Sequence, residues 1–216
     1  MIQLLKFQFN PIDENTYMVY DDTCECIIID AGCSNEHENK ILQKAIADKR
    51  LLPKKLVCTH GHFDHIMGNH FICDTYLIET YIHKDELSNF QRATSYSSFF
   101  DVNIIQPPVP QKFLRDGDEI KFGRSSFKVI FTPGHTRGGI CLYSEENKLL
   151  FSGDTLFAGS IGRTDLPGGD YDVLMNSIKK LMLLPENTNV FCGHGPKTTI
   201  GYEKQKNPFI LEMQQY

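Results

Sequence analysis

Apolar and polar positions alternate in short bursts through the first third of the chain. Residues 4–9 and 17–20 read as strands, and 26–29 as a buried strand whose apolar run Ile27-Ile28-Ile29 ends at Asp30-Ala31-Gly32. The period then lengthens. Ile41, Leu42, Ala45 and Ile46 fall at helical spacing, and a helix over 36–49 has an acidic start and Lys49-Arg50 at its end, as the helix dipole favours. Pro53 reads as a break ahead of a strand at 55–58. Residues 79–113 are least regular. They read as a helix followed by a long excursion through the polar and aromatic cluster 94–100 and Pro107-Pro108-Val109-Pro110, the kind of segment that helps form a binding wall. Apolar β-type runs return at 127–131, 140–143, 148–151 and 189–191. A helix over 172–184 has Val173, Leu174, Ile178, Leu181 and Met182 on one face. There is no fixed-period repeat. The mixture predicts an α+β chain, sheets with helices on their outer faces, folded as one domain over 1–216.

Composition narrows the function classes. A net charge of −5 with scattered Lys and Arg argues against a nucleic-acid footprint. No segment approaches the roughly 18–20 consecutive apolar residues that span a bilayer, and the first residues lack the pattern of a signal peptide. A cytoplasmic protein without membrane or nucleic-acid partners is expected. The cysteines at 24, 26, 33, 58, 73, 141 and 192 are an odd set without disulfide-framework spacing. Cys58, Cys141 and Cys192 sit in or beside apolar runs and read as buried thiols. Cys24-Glu25-Cys26 has no second thiol pair to complete a four-sulfur site and reads as strand or turn.

The chemistry is concentrated at strand ends. His60-Gly61-His62-Phe63-Asp64-His65 packs four metal-type ligands into six positions directly after an apolar strand. Imidazoles and a carboxylate this dense need hydrogen-bond or metal partners. Three later strands end in glycine-bearing turns that present His135, Asp154 and His194. Five of the eight histidines are used in this way. Seven nitrogen and oxygen ligands exceed one four-coordinate ion and suit two divalent ions, zinc with iron or manganese as alternatives, sharing a bridging carboxylate. Such a pair lowers the pKa of a bridging water toward neutrality. Spacing alone does not say which ligand serves which ion.

With those residues in view, the chain resembles the metallo-β-lactamase superfamily, whose H-x-H-x-D-H motif is matched by His60 to His65. Gly162-Arg163-Thr164-Asp165-Leu166-Pro167-Gly168-Gly169, Gly193-His194-Gly195-Pro196 and the segment from Gly201-Tyr202-Glu203-Lys204 to Asn207-Pro208-Phe209 are similar to the short, single-domain glyoxalase II (hydroxyacylglutathione hydrolase) branch. The resemblance implies an αββα sandwich of two mixed sheets. It places His60, His62 and His135 on one ion, Asp64, His65 and His194 on the other, and Asp154 between them, with Asp64 and Asp154 as the catalytic carboxylates. It implies a binuclear hydrolase acting on a small-molecule thioester, glutathione-derived as in the S-acylglutathiones that the branch acts on. The chain stops soon after Phe209, where full-length glyoxalase II enzymes continue into a helical region that helps bind glutathione, so glutathione recognition is not carried over.

Two other classes compete. A mononuclear iron persulfide dioxygenase on the same scaffold would use only His60, His135 and Asp154. A non-catalytic, metal-stabilised binding protein would turn nothing over. A secreted β-lactamase is disfavoured by the absent signal-peptide pattern, and a nuclease by the acidic balance. Asp30 is a candidate to orient a ligand histidine from behind. Arg163 and Asp165 read as a loop-bracing pair. His37 reads as a surface residue, and His70 and His83 as structural. Tyr171, Lys197, Tyr202 and Lys206 are candidate substrate contacts.

Overall fold

A computed structural model of the chain describes residues 1–96 and 104–213. Two compact units emerge: residues 1–114 with 121–126, and residues 115–120 with 127–216.

The first unit opens with a meander, β1 (Gln3–Phe9), β2 (Glu14–Tyr20) and β3 (Glu25–Ile29). Helix α1 (Glu36–Lys49) then leads to β4 (Leu52–Val57), followed by α2 (Phe63–Ile66), α3 (Asn69–Tyr76), β5 (Thr80–His83), α4 (Leu87–Arg92) and β6 (Lys112–Leu114). The strands form one sheet in chain order. The first two junctions are antiparallel and the last three parallel. Helix α1 begins where the Asn35 side chain accepts the Glu38 N–H, and ends where Arg50 turns left-handed at φ 53° and donates to the Ala47 carbonyl. Its buried Leu42 and Ile46 join Met18, Ile28, Leu56, Ile66, Ile72 and Phe90 in the core.

The expectations for this unit need two corrections. Pro53 lies inside β4, not ahead of the strand. The register against β3 shifts there, from Cys26 opposite Pro53 to Ile27 opposite Lys55, so the ring occupies an irregularity that tolerates a missing donor. The segment 79–113 is also more than a helix and an excursion. It contributes β5 and β6, of four and three residues, which are too short for a period of two to show. Residues 97–100 of its aromatic cluster lie outside the described residues.

The second sheet is built from β7 (Glu119–Phe122), β8 (Ser125–Phe131), β9 (Ile140–Ser144), β10 (Leu149–Gly153), β13 (Asn189–Cys192) and β14 (Thr198–Thr199), in the order β14-β13-β10-β9-β8-β7. A small hairpin, β11 (Leu156–Phe157) and β12 (Ser160–Ile161), leaves β10. Helices α5 (Tyr171–Leu181), α6 (Ile200–Lys206) and α7 (Pro208–Met213) complete the second unit. Helix α5 stops at Leu181, three residues short of the expected end, and Leu183 is 86% exposed. The Asp170 side chain caps α5 by accepting the Val173 N–H. Leu174, Ile178 and Leu181 are fully buried against Leu150, Val190 and Ile200. Each such burial contributes about 1.5–3 kcal/mol. Two mixed sheets with helices give the expected α+β class. Among the described residues, no helix is long and apolar enough to cross a membrane.

Candidate metal centre

In the first unit the ligand run starts one turn past β4. Thr59, His60, Asp64 and His65 are buried and His62 is half-buried. His62 is extended (φ −65°, ψ 146°) and opens α2, whose single turn carries Asp64 and His65. His60, His62, Asp64 and His65 thus converge. The Nε2 of His60 lies 3.1 Å from Nδ1 of His62, and Nε2 of His65 lies 3.5 Å from Oδ2 of Asp64.

Hydrogen bonds behind these rings decide which nitrogens carry protons. Asp30, at the end of β3 with φ 50°, is buried. Its Oδ1 accepts the Thr59 N–H at 2.7 Å, and its Oδ2 accepts the Thr59 hydroxyl at 2.6 Å. The same Oδ2 lies 3.0 Å from His65 Nδ1, which therefore carries its proton. Having given its only proton to Asp30, the Thr59 hydroxyl accepts from His60 Nδ1 at 3.1 Å. Both rings are left with a lone pair on Nε2, the form a cation requires. Asp30 thus holds the His65 ring from behind. Asn10, in the turn after β1, adds a hold by donating its side-chain amide to the carbonyls of Gly32 and Asp64.

In the second unit three strand ends supply His135, Asp154 and His194. Gly134 precedes His135 at φ 129°, and a Cβ there would lie 2.2 Å from the Leu174 nitrogen at the start of α5. Only glycine meets both demands. His135 Nδ1 donates to the Arg163 carbonyl at 2.8 Å, so its Nε2 too is left with the lone pair. That nitrogen lies 3.6 Å from Asp154 Oδ2, and His194 Nε2 lies 3.7 Å from the same oxygen. These separations are too long for hydrogen bonds. They suit one carboxylate oxygen shared between cations that the two imidazoles would hold, given bonds of about 2.0–2.2 Å. A Cβ on Gly162 would lie 2.0 Å from the Asp154 carbonyl oxygen, so the chain passes the ligand turn as bare backbone.

The donor sets in both units fit divalent cations. Tautomers are fixed from behind at His60, His65 and His135, and carboxylate oxygens stand beside the lone-pair nitrogens.

Sulfur is not part of this chemistry. Among the described residues, which include all seven cysteines, no disulfide forms. Burial pushes the Cys26 and Cys192 thiols up to about 12, and it raises those of Cys33 and Cys58 further from the reactive range. Cys24 lies in a turn at φ 65° and Cys26 in β3, the strand-or-turn reading of that pair.

Arg163 and Asp165 form a two-pronged ion pair, both contacts 2.7 Å, with both side chains exposed. Its guanidinium holds the Asp165 carboxyl at about 2. His37 and His70 are exposed on α1 and α3. His83 is buried, its pKa lowered by burial, and its Nδ1 accepts the Asp85 N–H. Tyr171 and Lys206 are exposed. Lys197 and Tyr202 share a recess of about 370 Å³ with Ala158, Asn189, Thr198 and Thr199.

Sequence reasoning passed over several buried polar residues. Glu14 is fully buried beside His65, 3.8 Å away, and burial raises its pKa well above the usual carboxylate range. Glu86 and Glu203 are fully buried as well. Glu203 Oε2 accepts the Gly159 N–H and the Asn207 amide, and its Oε1 accepts the Thr198 hydroxyl. The signal that was available is the polar triplet Glu14-Asn15-Thr16 opening a strand that proves buried at every position.

This site on this fold defines a metal-dependent class, and comparison with known proteins agrees. Residues 10–194 match the metallo-beta-lactamase superfamily. The hydroxyacylglutathione hydrolase GloC of Haemophilus influenzae is 35% identical over 201 residues, covering 91% of this chain and 92% of the relative. Among solved structures, the BLEG-1 B3 metallo-beta-lactamase superposes with a TM-score of 0.88 at 36% identity, covering 96% of this chain and 99% of the other. The di-iron-bound form of TTHA1623 gives 0.86 at 36% identity, with 95% and 99% covered. The chain belongs to the metallo-beta-lactamase superfamily, and its class is that of a metallo-hydrolase.

Proposed function

We propose that the chain is a binuclear metal-dependent thioesterase of the hydroxyacylglutathione hydrolase type. In this reading, which follows the family resemblance, His60, His62 and His135 would hold one divalent ion, Asp64, His65 and His194 would hold the other, and Asp154 would be shared. The observation that carries it is the Asp154 carboxylate oxygen flanked by the Nε2 atoms of His135 and His194 at 3.6 and 3.7 Å. When bound, the ions supply a water ionised near neutral pH and a Lewis acid for the substrate carbonyl. Asp30 keeps the His65 proton on Nδ1, and Thr59 does the same for His60, so each ring presents one fixed lone pair. The Arg163 carbonyl does so for His135. The identity to GloC supports a small thioester, glutathione-derived, as substrate. Zinc is the proposed metal, and the di-iron TTHA1623 keeps iron in view. A reducing, cytoplasmic setting is part of the proposal, since cysteines without disulfide-framework spacing are usual there.

Metal analysis combined with turnover of S-lactoylglutathione tests the proposal. About two ions per chain with thioester hydrolysis is the expected result. One iron per chain with oxygen uptake on glutathione persulfide would overturn it in favour of a dioxygenase. A second reading, β-lactam hydrolysis, draws on the likeness to BLEG-1. Nitrocefin cleavage that exceeds thioester cleavage would establish that reading instead.

A further inference from the structure

We propose that Glu86 is a positioning residue for the His60 and His62 pair, and that it acts by clamping the single residue between them. The proposal rests on reading those histidines as metal ligands. Glu86 ends the 3-10 turn Lys84–Glu86 that follows β5, and its side chain is fully buried. Its Oε2 accepts the Gly61 N–H at 2.8 Å and the Asn89 side-chain amide at 2.8 Å. A buried carboxylate is costly unless it receives such bonds, and one of the donors here is the backbone of the ligand run itself.

The fit around Gly61 is close. A Cβ on this residue would lie 2.9 Å from the Asn89 Cβ, 3.1 Å from Glu86 Oε2 and 3.2 Å from the Glu86 carbonyl oxygen. The loop therefore presses bare backbone against the start of α4. His60 Nε2 and His62 Nδ1 stand 3.1 Å apart, close to the roughly 3.3 Å that two nitrogens span across a tetrahedral ion with bonds of about 2.0 Å. The dihedrals of Gly61 set that separation, and glycine has the widest backbone freedom of any residue. Glu86 removes this freedom before any ion arrives. Asp30 and Thr59 set the proton positions of the ligands, whereas Glu86 sets the distance between two of them.

Equilibrium Zn²⁺ affinity, read by competition with a chromophoric chelator, and exchange of the Gly61 amide, read by NMR, test this without substrate. Glu86→Ala is expected to weaken zinc binding about 10–100-fold and to expose the Gly61 amide to exchange. Glu86→Gln retains an oxygen that accepts the Gly61 N–H and is expected to stay within about threefold of wild type. Gly61→Ala, with Glu86 intact, is expected to reproduce the weakening through its steric conflict. A folded Glu86→Ala variant with wild-type zinc affinity overturns the proposal, as does a Glu86→Gln variant as weak as the alanine. Should the alanine variant not fold, wild-type affinity in Gly61→Ala overturns it equally. A wild-type protein that binds zinc with this dependence yet cleaves no thioester would sink the functional reading and leave the clamp standing.

Discussion

The two units present metal-type ligands in opposite ways. The first packs His60, His62, Asp64 and His65 into one short run, while the second gathers His135, Asp154 and His194 from three separate strand ends. A dense run has little fold of its own, so it is held from far away along the chain: by Asp30 just past β3, by Asn10 just past β1 and by Glu86 from the turn before α4. Strand ends arrive already rigid, and what they need is local. The Arg163 carbonyl fixes His135, and the Gly193 N–H donates to the Gly153 carbonyl to tie the two ligand turns together. Ligation in the first unit should therefore respond to distant substitutions, and in the second to the ligands themselves and to the loops that frame them.

The largest expected effect tests the second unit directly. Asp154→Ala should remove the shared oxygen and lower both metal content and kcat/KM, the latter by more than about 10³-fold. Full hydrolysis of S-lactoylglutathione by this variant would end the binuclear assignment.

Next comes the frame. Glu203→Ala leaves the Gly159 N–H, the Thr198 hydroxyl and the Asn207 amide without their buried acceptor, and should cost about 2–4 kcal/mol in urea unfolding. An unchanged midpoint would mean that the β11–β12 hairpin needs no such anchor.

In the first unit, Asp30→Asn keeps the left-handed backbone but turns an amide N–H toward His65 Nδ1, driving the proton to Nε2. Metal affinity should fall about 10–100-fold with little change in stability. Equal losses of affinity and stability would show instead that Asp30 is a packing residue.

The smallest effect separates acid stability from the site. Burial pushes the Asp21 carboxyl up, but bonds from the Thr23 hydroxyl and N–H, the Arg124 N–H and the Ser125 hydroxyl outweigh it and hold it at about 2. With its folded value below the ordinary one, Asp21 stabilises fully above about pH 4, and that contribution is lost as pH falls through about 2. The loss is about 1–2 kcal/mol, and unfolding of Asp21→Asn against wild type over that range should show it.

Most of the candidate ligands stand out in the sequence because their signals are local. Helix α1 showed through its apolar spacing, and His60 to His65 through sheer density. His135, Asp154 and His194 showed because each follows an apolar run and sits by a glycine. The supports were not legible, for a physical reason. In sequence, Glu86 beside Lys84 and Asp85 looks like any solvated acid, and Glu203 beside Lys204 looks the same. Their burial depends on partners far along the chain: Gly61 for Glu86 and Gly159 for Glu203. Strands β5 and β6 escaped for a related reason, since three or four residues carry no measurable period and are fixed by pairing alone.

Gly162 illustrates a wider consequence. Its missing side chain leaves room for the Asp154 carbonyl oxygen and, at 3.1 Å from where a Cβ would sit, for the His135 Cβ. Every coding change at this position introduces a carbon where none fits. A saturation screen for surviving variants should therefore rank Gly162 with Asp154, although it contributes no functional group. Intolerance of replacement and participation in a reaction are separate properties, and at this position only the first applies.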